Sequence, residues 1–194
     1  MDKAKLIELI NNNPNAIAYL QDPPEDIQRL ALQKNGLVLE YIPNPTREMQ
    51  MLAIAQNPRA IQFVADPTEE MMLMAVSASW TNLEYIKNPT PKVIELALHQ
   101  SGWAIKYLPN PREELQLLAV RKNYDAIKFI KNPSPRVQEE AVNINFEALK
   151  FIEHPTPEAE LLAIRKDARA ITFINNLSHE KIINFLKANI LVIK

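Results

Sequence analysis

The sequence predicts an all-α fold, a right-handed solenoid of about nine 22-residue two-helix repeats, and three observations predict it. The first is a constant step. Asp22-Pro23, Asn44-Pro45, Asp66-Pro67, Asn88-Pro89, Asn110-Pro111, Asn132-Pro133 and His154-Pro155 follow one another every 22 residues, a spacing that marks a repeat architecture. The second is what recurs inside the step. With that proline as position 1, position 9 is Ala31, Ala53, Ala75, Ala97, Ala119, Ala141 and Ala163, position 19 is always aromatic from Tyr19 to Phe173, and position 20 is always aliphatic from Leu20 to Ile174. The third is where the prolines stand. All 15 fall at positions 1, 2, 3, 14 or 21, so none breaks a helix interior.

Each element follows from local chemistry. Thr46, Thr68, Thr90, Ser134 and Thr156 at position 2 can cap a helix N-terminus, and Pro91, Pro135 and Pro157 stand next, at the first helical position, where a missing N–H costs nothing. Apolar residues near positions 5, 8, 9 and 12 make the stripe of a helix A over about positions 3–12. Position 13 is Asn, Ser or Asp throughout, which starts a shorter helix B over about positions 14–21. Isolated helices below about 12–15 residues are marginal in water, so each pair must bury its face on its neighbours. Alanine at position 9 lets helices approach closely, and the pair at 19 and 20 is expected to fill the gap to the next unit. The chain is then one domain, with an N-terminal capping unit at 1–22, seven repeats at 23–176 and a truncated unit at 177–194.

The run from Asn44 to Ala53 (Asn-Pro-Thr-Arg-Glu-Met-Gln-Met-Leu-Ala) and its counterpart from Asp66 to Ala75, with Met74 for leucine, resemble short α-solenoid repeats, the leucine-rich-repeat-variant and HEAT-like repeats of bacterial and phage-encoded proteins. The resemblance covers nearly the whole chain. It implies architecture, no catalytic residues and, by analogy, a phage or mobile-element inhibitor that clamps a host enzyme. The 22-residue step is slightly shorter than the variant repeat, which implies that helix B is partly 3₁₀.

The chemistry of a reaction is hard to find. Without cysteine there is no thiolate ligand or nucleophile. His99, His154 and His179 lack metal-ligand spacing, and Gly36 and Gly102 stand alone rather than in a phosphate loop. Adjacent acids such as Glu69-Glu70 and Glu113-Glu114 sit in the first turn of helix A, where they complement the helix dipole. No enzyme, cofactor or metal is expected. No stretch approaches the ~18 apolar residues of a membrane span, and a cytoplasmic protein is the expectation.

Helix B carries the candidate site. At 100° per residue, positions 16, 17 and 20 share one face and positions 14, 18 and 21 the other, with position 15 at its edge. That outer face, expected to line the concave layer, carries Trp80, Glu84 and Lys87, then Trp103 and Lys106, then Tyr124, Lys128 and Lys131, then Phe146 and Lys150. Residues 1–97 hold 8 basic and 12 acidic side chains, net −4, and residues 98–194 hold 14 and 11, net +3. Three readings fit. The rings are anchors of a protein-binding groove, since hot spots favour Trp, Tyr and Arg. Or they stack single-stranded nucleic acid while the lysines contact phosphate. Or they pack between units while the cations answer helix C-termini. Asp125, Glu147 and Glu153 dilute the basic stripe, and the pI of 6.3 is far from that of a typical nucleic-acid binder, which favours a protein partner.

At the ends, Lys5 and Glu8 replace apolar residues at core positions 5 and 8 and form a polar cap. The last unit shows no such cap. Ile182, Ile183, Phe185, Ile190, Leu191, Val192 and Ile193 make it apolar, and a homodimer through 177–194 is the assembly this suggests.

Overall fold

The computed structural model describes residues 2–174 and 178–190, with backbone alone at 179 and 188–190. Among these residues the chain is all-α, without a strand, and it divides into two compact units, Met1–Ala97 and Leu98–Lys194. In the first, α1 (Lys3–Asn12), α2 (Glu25–Lys34), α3 (Arg47–Gln56) and α4 (Glu69–Ala78) alternate with the 3₁₀ helices η1 (Pro14–Tyr19), η2 (Gly36–Tyr41), η3 (Pro58–Phe63) and η4 (Trp80–Tyr85). α5 (Pro91–Gln100) follows. The second holds η5 (Gly102–Tyr107), α6 (Glu113–Lys122), η6 (Tyr124–Phe129), α7 (Pro135–Ile144), η7 (Phe146–Phe151), α8 (Pro157–Lys166), η8 (Ala168–Phe173) and α9 (His179–Ile190). Within each unit neighbouring α-helices touch, neighbouring 3₁₀ helices touch, and α2, α3, α4, α6, α7 and α8 each also meet the 3₁₀ helix before them, as α3 meets η2 and α7 meets η6. None of the described helices is long and apolar enough to cross a membrane.

Helix B is 3₁₀ along its whole length. The N–H of position 16 reaches the carbonyl of position 13, as Ala60 to Asn57 at 2.8 Å, and the N–H of position 20 reaches position 17, as Val64 to Ile61 at 3.0 Å. Extended residues bracket each 3₁₀ helix, such as Asn57 (φ −143°) and Val64 (φ −100°). Six residues wound this way span about 12 Å, against about 9 Å in an α-helix, so the short helix comes nearer the length of its ten-residue partner.

The caps behave as their residue types dictate. Thr46, Thr68, Ser134 and Thr156 accept the N–H three residues on. Thr90 is the exception: its buried Oγ1 has no hydrogen-bond partner. At position 13, Asn, Ser and Asp accept the N–H two residues on, as Asn57 does from Arg59 at 3.1 Å. Asn123 instead turns back and accepts the Gly102 N–H at 2.8 Å. The residue before the repeat proline explains its own chemistry. Asp22, Asn44, Asn110 and Asn132 have φ between 46° and 53°, a left-handed conformation that Asn and Asp tolerate better than other side chains.

The core is the repeated set. Every position-9 alanine is 0 % exposed, and positions 10, 16 and 17 are buried through most of the chain. Position 20 is buried from Ile42 to Ile86 and from Ile130 to Ile174. Position 19 departs from the sequence expectation. Tyr19 is 90 % exposed and Tyr41 48 %, while Phe63, Tyr85, Tyr107, Phe151 and Phe173 are half-buried. These rings do not fill the core between repeats; they line its rim.

A second device was invisible in the sequence. Position 6 is glutamine at 28, 50, 116 and 138, and each donates its side-chain N–H to the position-1 carbonyl five residues back, as Gln28 to Pro23 at 2.8 Å and Gln116 to Pro111 at 2.7 Å. Gln138 also accepts the N–H of Thr156 in the following repeat at 2.8 Å, which ties two repeats through one amide. In α8 the same position is Glu160, buried and paired with Lys181 of α9 at 2.8 Å. Lys181 stands at core position 5, so the last helix does carry a polar substitution of the kind the sequence shows at Lys5. Phe185 packs inward at 6 % exposure, whereas Ile182, Ile183 and Leu186 face out. Leu191, Val192 and Ile193 lie outside the described residues.

Candidate functional site

A 3₁₀ helix turns about 120° per residue, so residues three apart eclipse. The expected faces therefore change. Position 14 lies over position 17 rather than beside position 18, and the outward row is made by positions 15 and 18. Burial agrees: position 18 is exposed in every unit, whereas Trp80, Tyr124 and Phe146 at position 14 are half-buried. The sequence stripe thus separates into two rows. Trp80, Tyr124 and Phe146 lean into their own repeats. Trp103, at position 15, stands 39 % exposed in the same row as Lys106, Lys128 and Lys150. Lys87, Lys106, Lys128, Lys131 and Lys150 are all exposed.

The second unit brings Trp103 and Lys128 together. The indole N–H of Trp103 donates to Asp125 Oδ1 at 2.8 Å, and Lys128 Nζ donates to the other oxygen of the same carboxylate at 3.1 Å. The same ammonium lies 4.7 Å from the Trp103 ring centroid, 5.1 Å from Phe129 and 5.6 Å from Phe151. One lysine is held by three rings and one carboxylate, an arrangement that fixes the indole without burying it. One repeat on, Lys150 donates to Glu147 at 2.9 Å and sits 5.0 Å from the Phe151 centroid. Farther along, Phe146 stacks on Phe173 with centroids 6.3 Å apart, and Arg169, locked onto Asp167 at 2.7 Å, covers the Phe146 face at 5.5 Å. Lys128 and Lys131 also line a cleft of about 420 Å³ with Phe151, Glu153, His154 and Gln138.

The electrostatics follow from these pairs. Partial burial would raise the Asp125 carboxyl, but hydrogen bonds from Trp103 and Lys128, with the lysine charge, outweigh it and hold the group below its ordinary 3.8. Glu147 beside it raises Lys150, and Arg169 lowers Asp167. A carboxyl depressed by folding stabilises the fold above its unfolded pKa and loses that contribution as pH falls through its folded pKa. The Trp103 indole N–H resonance, followed into acid, is therefore expected to move with a midpoint below 3.8, and Asp125→Asn is expected to abolish that step. A midpoint at or above the ordinary value would contradict the geometry.

Asp125, Phe129, Phe151, Phe173 and Arg169 belong to this surface and were not read as site residues. Their signal was present: acid and lysine three apart, Asp125 with Lys128 and Glu147 with Lys150, is a pair for a 3₁₀ helix, and the position-19 ring was assigned to the core. Among the described residues no group of three or more His, Asp or Glu is placed to hold a metal ion. Compared with known proteins, the chain matches no family model, no curated protein and no solved structure.

Proposed function

We propose that this chain is a right-handed α-solenoid of about nine 22-residue repeats, running as one array from a capping unit at 1–22 through seven repeats at 23–176 to a truncated unit at 177–194. In this reading it is a non-catalytic interaction module that binds a partner protein through the 3₁₀ layer. The observation that carries the reading is a contrast inside each repeat. Positions 16 and 17 are nearly invariant in kind and buried, while position 18 is exposed in every unit and changes from Ala18 through Glu40, Gln62 and Glu84 to Lys106, Lys128, Lys150 and Thr172. A constant scaffold with a variable exposed row is what a binding surface needs, and Trp103 supplies a rigid aromatic anchor in that row.

The nucleic-acid reading loses ground on the same contacts. Lys128 and Lys150 already pair with Asp125 and Glu147, so a phosphate would have to displace a carboxylate to gain a cation. A homodimer through the C-terminal unit draws support from the exposed Ile182, Ile183 and Leu186. A cytoplasmic setting and the role of a phage or mobile-element inhibitor draw on the sequence and its resemblance alone.

Trp103→Ala tests the module. A hot-spot tryptophan is worth about 2 kcal/mol or more, a loss of about thirtyfold in affinity. A protein captured from lysate by the parent chain is expected to be lost on this substitution, with helical content retained. Equal recovery by the two chains removes the 3₁₀ layer around Trp103 as the binding surface.

A further inference from the structure

The first unit carries a different surface on its own 3₁₀ helices. Tyr19, Tyr41 and Phe63 occupy position 19 of η1, η2 and η3, which touch in sequence, and all three rings line one groove of about 470 Å³ together with Asn15, Leu37 and Glu40. Tyr19 and Tyr41 are the most exposed aromatic rings among the described residues. In the second unit the rings of Phe129 and Phe151 are covered by lysine ammonium groups. Among the described residues no cation lies over Tyr19, Tyr41 or Phe63, and no basic side chain lines the groove. Its charged group is Glu40. The groove therefore offers open aromatic faces, tyrosine hydroxyls as donors and one carboxylate.

We propose that this groove binds a proline-rich segment in the polyproline II conformation, carrying a basic residue that meets Glu40. Two physical matches select this occupant. A polyproline II chain repeats every three residues, about 9 Å, and packed helical elements stand about 8–10 Å apart, so successive aromatic rings meet successive turns of the peptide. Such a chain is preformed, so little entropy is lost on docking, and its carbonyls have no internal partners and accept from donors such as the Tyr19 and Tyr41 hydroxyls and the Asn15 amide. Charge decides against the other ligand that stacks on rings. A nucleic-acid strand brings phosphate to a groove that holds Glu40 and no cation. The inference rests on the reading of the 3₁₀ layer as a protein-binding surface and gives that surface a ligand class in the first unit.

The test is fluorescence anisotropy with the full chain and a labelled peptide of sequence Pro-Pro-Arg-Pro-Pro-Arg-Pro-Pro-Arg. Saturable binding is expected. Replacing the prolines by glycine at equal charge is expected to weaken it at least about tenfold, as is Tyr41→Ala, and Glu40→Lys is expected to weaken it by about the same factor. Tyr19→Ala serves as the second variant, because a side chain 90 % exposed can be removed without touching the core. An oligo-dT strand is expected not to bind. Equal binding of the glycine peptide, unchanged binding by both tyrosine variants, binding of oligo-dT at comparable affinity, or no saturable binding by the folded chain would each overturn the proposal. Failure here, with partner capture still lost in Trp103→Ala, sinks this inference and leaves the module standing.

Discussion

Gly102→Ala is expected to destabilise the second unit by about 1–3 kcal/mol, the usual cost of forcing an extra methyl group into packed structure, and to lower its melting temperature by several degrees. A β-carbon built on Gly102 would lie 2.1 Å from the carbonyl oxygen of Ala119, and one on Gly36 would lie 2.2 Å from that of Ala53. Both neighbours are helix backbone, which cannot rotate aside as a side chain can. The close approach is held on both sides. The N–H of Gly102 donates to Asn123 and that of Gly36 to Gln56, while the Ala119 carbonyl is committed to the Asn123 N–H at 2.9 Å. The prediction runs against the repeat pattern, because position 14 elsewhere accepts proline, tryptophan, tyrosine, phenylalanine and, at Ala168, alanine itself; it rests on the close backbone approach at the two glycines. Thermal unfolding of Gly102→Ala and Gly36→Ala beside the parent chain checks the expectation, and melting curves that superimpose would refute it.

The second large effect is expected at Lys181→Ala. Glu160 is 4 % exposed at its side chain and has Lys181 as its cation, at 2.8 Å. Removing one member of a buried pair costs about 3–5 kcal/mol, because the other charge is left uncompensated. Lys181 is about one-third exposed (35 %), so water reaches the pair and the expected loss is smaller, about 1–3 kcal/mol. The damage should be local, since contact runs from α8 to α9, and hydrogen exchange should show α9 opening before the rest of its unit. Glu160→Gln is expected to restore most of the stability in the Lys181→Ala background. Glutamine at this position donates to the proline carbonyl five residues back in the other repeats that carry it, and a neutral amide needs no cation. A double variant no more stable than the single one would show that the charge on Glu160 is not the source of the loss.

Both effects show how legibility divided in this chain. Position 9 was read as a site of close approach, and its alanines are indeed fully buried. Which group approaches was not readable: in two repeats it is the backbone of a glycine whose position looked permissive. The apolar C-terminal unit was read as uncapped, yet Lys181 answers a glutamate one repeat back that nothing in the residue pattern marks for burial. At the candidate site, Trp103 and Lys128 were read as parts of one stripe, and the fold brings the lysine over the indole. Their bridge, Asp125, had been counted only as a diluting negative charge.

The sequence by itself determined what is local and periodic. Hydroxyls and amides at positions 2 and 13 start helices, prolines at positions 1, 3 and 14 stop or permit them, and the alternation of ten-residue and six-residue elements follows within a residue or two. Those signals act over a few bonds, so they survive without knowledge of neighbours. Only the tertiary structure decided which face of the short helix is outside. The difference between 100° and 120° per residue is small at each step but moves position 14 onto the buried row and leaves 15 and 18 in solvent. It also decided that Lys128 meets Trp103 and Phe151 while Tyr19 and Tyr41 stay open, because both facts depend on which side chains about 22 residues apart meet across stacked repeats.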